Sequence, residues 1–172
     1  MQNTTVHFQN AMSSGSYERS CSPGDLSDHP EFRPHLSPRE MLIAGVFEGR
    51  YLNSCRDEYP EEWFIGARLS DVPDPRLNKF GLKSRTTKSW WHERNLIDPQ
   101  DPRGWFEWYC RFWMGRRSTD DARQIRRWRG MVRHSAQVEK NGRGDVLHRR
   151  RQRQTLLQWS YNPTPDLPKE TQ

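Results

Sequence analysis

Asp101-Pro102-Arg103-Gly104-Trp105-Phe106-Glu107-Trp108-Tyr109-Cys110-Arg111-Phe112-Trp113-Met114-Gly115-Arg116-Arg117 packs six aromatic side chains between Trp105 and Trp113. At about 100° per residue, Trp105, Phe106, Trp108, Tyr109, Cys110, Phe112 and Trp113 cover one broad apolar arc. An arc so wide belongs to a helix surrounded on most sides by other elements. Asp101 is predicted to cap it, with Pro102 at the first helical position, where its missing N–H costs nothing. Glu107 and Arg111 fall on the remaining strip. They are expected to be solvent-exposed there and to form a favourable i, i+4 pair.

Working outward, Ser118-Thr119-Asp120-Asp121 reads as the next helix start. Ile125, Trp128, Val132, Ser135 or Ala136, and Val138 then recur at helical spacing up to a stop at Asn141-Gly142. A last helix is predicted from about His148 to Tyr161, and Asn162-Pro163-Thr164-Pro165 opens an extended tail. Charge is concentrated in this half. From Arg103 to Arg153 there are fifteen Lys and Arg against five Asp and Glu, and the remainder carries thirteen against seventeen. The overall +6 therefore conceals a strongly basic segment, which points to a polyanion or an anionic membrane surface as partner. Arg149, Arg150, Arg151 and Arg153 lie at the N-terminal end of their helix, where the dipole disfavours cations, so local stability gives no reason for them.

Upstream, Ser37-Pro38-Arg39-Glu40 is a capping box opening a short helix through Met41, Leu42 and Ala44, with Gly45 or Gly49 to end it. Short helical turns follow at Tyr51 to Cys55 and Glu61 to Ala67. Thr86 or Thr87 caps a helix bearing Trp90 and Trp91, and Asn95 ends it. Residues 1–36 are polar and show no periodicity, and they read as a disordered leader. The expected fold is mostly α: a single compact helical domain over 37–162, with a tail over 163–172. An apolar fraction of 32% is offset by eight tryptophans, because each large ring buries roughly 150–250 Å². No apolar run of membrane-spanning length and no signal peptide is seen, so a cytoplasmic protein that does not enter the membrane is expected. Three cysteines, Cys21, Cys55 and Cys110, form no metal-binding spacing, and neither a metal nor a cofactor is expected.

Chemistry-bearing motifs are sparse. There is no phosphate-binding glycine loop, nucleophile elbow or zinc-protease helix. Asp120-Asp121-Ala122-Arg123-Gln124 is the densest polar constellation, and helix capping accounts for both aspartates without any catalytic role.

Gly104 to Arg111, Gly115-Arg116-Arg117, Asp120-Asp121 with Arg123-Gln124-Ile125 and Arg127-Trp128, and Arg151-Gln152-Arg153-Gln154 with Leu156-Leu157-Gln158-Trp159 resemble a widespread family of small proteins. Part of that family is similar to the arginine-containing cyclodipeptide synthases, and the resemblance runs from about Gly45 to Asn162. It implies a tRNA-dependent enzyme of secondary metabolism. Such an enzyme joins arginine from arginyl-tRNA to a second amino acid, free or on its own tRNA, as a diketopiperazine. The family's Asp-Asp-x-x-Glu motif maps onto Asp120, Asp121 and Gln124. Gln124 stands in place of the glutamate and cannot exchange a proton as acid or base. On this reading Asp120 or Asp121 holds the arginyl guanidinium, with Glu107 or Glu93 in reserve. Arg126, Arg127, Arg129, Arg149, Arg150, Arg151 and Arg153 contact tRNA phosphates, while exposed aromatics stack on its single-stranded end. The alternative is a non-catalytic RNA-binding or regulatory module using the same basic face.

Overall fold

The computed structural model describes residues 4–84, 86–142 and 145–164. Its regular elements are a hairpin of β1 (Thr5–Gln9) and β2 (Ser14–Glu18), followed by α1 (Pro38–Ala44), α2 (Lys88–His92), α3 (Trp105–Trp113), α4 (Asp121–Gly130), α5 (Val132–Gly142) and α6 (Arg150–Leu157). Short 3₁₀ turns at Phe47–Gly49, Asn53–Glu58, Glu61–Trp63 and Pro75–Leu77 lie between α1 and α2.

The expectation of a mostly α fold behind a disordered leader is corrected by the hairpin. β1 and β2 run antiparallel, with Thr5 opposite Glu18 and Gln9 opposite Ser14, and make the chain a mixed α/β domain. The turn is set by Asn10, whose side-chain oxygen accepts from the backbone N–H of Met12 and Ser13 at 3.0 and 3.2 Å. Val6, Phe8 and Tyr17 occupy the half-buried face, an alternation too short to register against the polar residues around it.

Residues 20–36 are also part of the fold. Ser20 N–H donates to the Gly115 carbonyl and Gly24 N–H to that of Trp113, both at 2.8 Å. His35 N–H donates to the Ser160 carbonyl at 2.8 Å. Phe32, 1% exposed, sits edge-on to Tyr109, Phe112 and Trp128 with centroids 5.7, 5.5 and 4.9 Å away. One ring from the expected leader thus stands at the centre of the aromatic core, an arrangement that favours edge-to-face contact.

α1 forms as its capping box requires. Glu40 N–H donates to Ser37 Oγ at 3.3 Å, and Ser37 N–H donates to the Glu40 carboxylate at 2.7 Å. Gly45 ends it at φ +98°, where a Cβ would come within 2.3 Å of the Leu77 carbonyl oxygen.

α3 is central, as its arc requires, with Trp108, Tyr109, Cys110 and Phe112 fully buried. Two expectations about it are corrected. It begins at Trp105 with Gly104 as its cap, so Asp101 does not cap it. Glu107 and Arg111 are not on an exposed strip either: both are 0% exposed. Arg111 donates to both Glu58 carboxylate oxygens at 2.6 and 3.0 Å and to Asp101 at 3.0 Å. Asp101 is also held by Arg116 at 2.9 and 2.6 Å, and Glu107 by Arg103 at 2.8 Å. Phe8 of β1 covers this cluster, with the Arg111 guanidinium 4.2 Å from its ring centre. Burial disfavours the Arg111 cation, but the hydrogen bond to Glu58 and the surrounding carboxylates outweigh it and raise its pKa.

The segment after Gly115 is two helices rather than one. The Trp128 carbonyl accepts from Met131 N–H at 2.9 Å and from the Tyr161 hydroxyl at 3.0 Å. These bonds draw it away from the i+4 bond that would have carried α4 into α5, and Gly130 there has low helix propensity. α6 is also shorter than expected. Pro163 and Thr164 are buried, and the remainder of the expected tail lies outside the described residues.

Candidate nucleic-acid interface

α4 buries Asp121, Gln124, Ile125 and Trp128, the i, i+3, i+4, i+7 face, and leaves Arg126 and Arg129 exposed on its other side. Between these faces Arg127 is half-buried. Its guanidinium lies 5.5 Å from the Trp91 ring centre and 5.4 Å from that of Trp159. It donates to the Leu96 carbonyl and to Gln124 Oε1, both at 2.9 Å. Burial, with a smaller contribution from the neighbouring Arg123 cation, lowers its pKa to about 10, so it remains charged at neutral pH.

The aromatics continue on both sides. Trp90, 38% exposed, meets Trp91 edge-on at 4.9 Å and carries the Arg94 guanidinium 4.1 Å above its ring. Trp159 packs against Trp105 at 4.8 Å. Thr87 positions the two tryptophans of α2 by accepting from Trp90 N–H at 3.4 Å, as its capping chemistry anticipates. The result is an alternation of planar cations and indoles, Arg94 on Trp90 and Arg127 between Trp91 and Trp159. Flat bases stack on such surfaces regardless of sequence.

The residues expected to be catalytic lie beneath this alternation. Asp121 is 4% exposed and accepts from Trp108 Nε1 at 2.8 Å, from Ser118 N–H at 2.8 Å and from the Ser118 hydroxyl at 2.7 Å. It ties α4 to α3. Asp120, 8% exposed, accepts from both sides of the Arg123 guanidinium, at 2.5 and 2.7 Å, and from Gln124 Nε2 at 2.8 Å. Gln124 is fully buried and bridges Asp120 to Arg127. Its amide supplies one donor and one acceptor where a glutamate would bring a second buried carboxylate beside Asp120. The three residues are thus together, but Asp121 and Gln124 have their hydrogen-bonding capacity directed into the protein. Of the reserve carboxylates, Glu107 is locked in the ion cluster, and Glu93 is exposed 3.7 Å from Arg94.

The arginines of α6 divide. Arg153 is 5% exposed and donates to the carbonyls of His148 at 2.8 Å, Asp145 at 3.1 Å and Pro163. It holds the 145–148 turn and the chain after α6, and is not free to meet phosphate. Arg150 donates to the Phe80 carbonyl, and Arg149, in the left-handed region at φ +57°, donates to Gln152 at 3.2 Å. Arg151 is exposed and has no side-chain partner among the described residues. The position of a cation on the helix cannot distinguish these roles, because the carbonyls that claim Arg153 are set by the turn before α6 and the chain after it.

No protein family, curated protein or solved structure matches the chain. Among the described residues no helix is long and apolar enough to cross a membrane.

Proposed function

We propose that this protein binds RNA, taking a single-stranded end on the surface of Trp90, Trp91, Arg94, Arg127 and Trp159 while Arg126, Arg129 and Arg151 meet the phosphates. The observation that carries the reading is Arg127 set between two indoles beside an exposed Trp90 that already bears one guanidinium. Stacking energy for bases and charge for the backbone are thereby supplied from one surface. The resemblance of the sequence to a family of small proteins, part of which is similar to the arginine-containing cyclodipeptide synthases, makes tRNA the RNA class of first choice. The test is fluorescence-anisotropy titration of total tRNA and of a single-stranded RNA across a salt series. Trp90→Ala is expected to weaken the single strand by about 1–3 kcal/mol. The triple exchange Arg126→Gln, Arg129→Gln, Arg151→Gln is expected to flatten the salt slope by roughly 0.7 for each phosphate that is no longer neutralised. Unchanged affinity and slope in folded variants would remove this face.

A second reading, the synthase itself, is favoured by one interaction. Asp120 holds a guanidinium in a two-pronged grip, and that guanidinium belongs to Arg123, whose side chain is 36% exposed. An arginyl side chain from arginyl-tRNA would have to displace Arg123 from the same carboxylate. Gln124 supplies no base on this reading, and the incoming amine would need one from elsewhere. Mass spectrometry of extracts from expressing cells tests it. An arginine diketopiperazine that disappears with Asp120→Asn supports catalysis, and its absence from cells making the wild-type protein leaves RNA binding alone.

A further inference from the structure

A cleft of about 600 Å³ lies apart from the indole and arginine surface, lined by His7, Phe8, Gln9 and Asn10 on one side and by residues 53–59, Glu61 and Phe64 on the other. Its size is that of an ordinary ligand site. Four consecutive residues around β1 border it and none from β2 does, so it runs along the side of β1 that faces away from its partner strand.

The hairpin register fixes which backbone groups face the cleft. Asn10 N–H donates to the Ser13 carbonyl at 2.9 Å and Arg19 N–H to the Thr4 carbonyl at 3.1 Å. Bonded and non-bonded pairs alternate in an antiparallel ladder, so Val6 and Phe8 turn their N–H and C=O toward β2, while Thr5, His7 and Gln9 turn theirs away. Those outward groups of His7 and Gln9 make no hydrogen bond to the described residues. The opposite edge differs: past β2, Arg19 pairs with Arg116 and Ser20 bonds to Gly115. β1 carries no lysine, proline or bulge, the usual means by which an edge strand is kept from pairing.

The far wall supplies side-chain chemistry. Phe64 carries the Arg56 guanidinium 4.6 Å above its ring, and Tyr59 adds apolar surface. Glu58 is spent on Arg111, but Asp57 and Glu61 are exposed and have no ion-pair partner among the described residues. We propose that a segment of another protein, extended and carrying a lysine or arginine, adds to β1 as a third strand, its backbone pairing with His7 and Gln9 and its cation lying against Asp57 and Glu61. Strand addition takes its affinity from the main chain and its selectivity from wall side chains at alternate positions, and this cleft provides both. The Asp57 and Glu61 carboxylates, beside the single Arg56 cation held over Phe64, set its ligand apart from the RNA proposed for the basic, indole-lined surface.

The probe is an acetylated and amidated pentapeptide alternating valine and lysine, titrated into the full chain and followed by amide NMR. Binding is expected to shift the amides of His7 and Gln9 and to slow their exchange. Gln9→Pro removes one outward donor without removing a β1–β2 bond and is expected to weaken the peptide at least about fivefold. Asp57→Asn and Glu61→Gln, on the exposed wall where they leave the fold intact, are each expected to weaken it about threefold. Neither wall variant should affect a peptide with alanine in place of lysine. The proposal is overturned if the peptide at millimolar concentration leaves the 5–9 amides unmoved, if the alanine peptide binds equally well, or if the wall variants change nothing.

Discussion

Replacing Arg111 by Met tests whether the ion cluster under the hairpin is buried and dry. Arg111 gives four hydrogen bonds, two to Glu58, one to Asp101 and one to the Gln100 carbonyl, from a side chain with no solvent exposure. Methionine retains much of the apolar stem and removes the charge. Asp101 keeps Arg116 and Glu107 keeps Arg103, so the carboxylate left without a cation is Glu58, whose side chain is 2% exposed. Removing one partner of such a pair costs about 3–5 kcal/mol, because the desolvated charge that remains is uncompensated. A domain of this size has about 5–15 kcal/mol in total, and each kcal/mol moves its midpoint by about 2–4 °C, so the expected loss is roughly 6–20 °C. Urea unfolding followed by tryptophan fluorescence measures it. The double variant Glu58→Met, Arg111→Met should recover to within about 1 kcal/mol of wild type, since two apolar side chains of similar volume replace a pair that is itself costly to bury. A single-variant loss below about 1 kcal/mol, or a double variant as unstable as the sum of its parts, would show that water reaches Glu58 and that Phe8 does not seal the cluster.

Tyr17→Phe is expected to leave the midpoint at pH 7 unchanged or higher, because the buried hydroxyl has no hydrogen-bond partner among the described residues. Burial first, and the Glu58 charge second, push the Tyr17 pKa up to about 12, above the roughly 10 of an unfolded chain. Its contribution is therefore present below pH 10 and lost as pH rises toward 12, and the phenylalanine variant should show a shallower alkaline decline in thermal melts. The hydrogen bond from Arg117 holds the Asp28 carboxyl below its ordinary range, so its contribution is present above about pH 4 and lost as pH falls through the folded value. Asp28→Asn should thus flatten acid denaturation followed by circular dichroism and change little under alkaline conditions. Arg153→Gln should cost about 1.5–3 kcal/mol in urea, having held three carbonyls through a cation, whereas Arg151→Gln should stay within about 0.5 kcal/mol.

Legibility in the sequence followed how local each signal was. The capping box at Ser37, the tryptophan helix after Thr87 and the central position of α3 depend on neighbours within four residues, and each is found where the pattern places it. Glu107 and Arg111 have the same i, i+4 spacing buried or exposed, and what buries them is Glu58, Asp101 and a hairpin about a hundred residues earlier. Phe32 stands alone between Pro30 and Pro34, and no periodicity marks a single ring inserted between the side chains of α3 and α4. At the candidate interface, composition indicated a basic aromatic surface. It could not separate Arg151, which has no side-chain partner among the described residues, from Arg153, which is committed to carbonyls.

The position of Phe32 also has a consequence during synthesis. Its edge-on partner Trp128 lies far along the chain, and the backbone that delivers it is pinned at His35 and Leu36 by Ser160. Phe32 can meet Tyr109 and Phe112 once α3 has been made, but its contact with Trp128 and the pinning of its backbone by Ser160 wait until nearly the whole described domain has left the ribosome. Contacts of such long sequence separation form late, so between the synthesis of α3 and that of Ser160 the nascent chain carries aromatic surface that is incompletely covered.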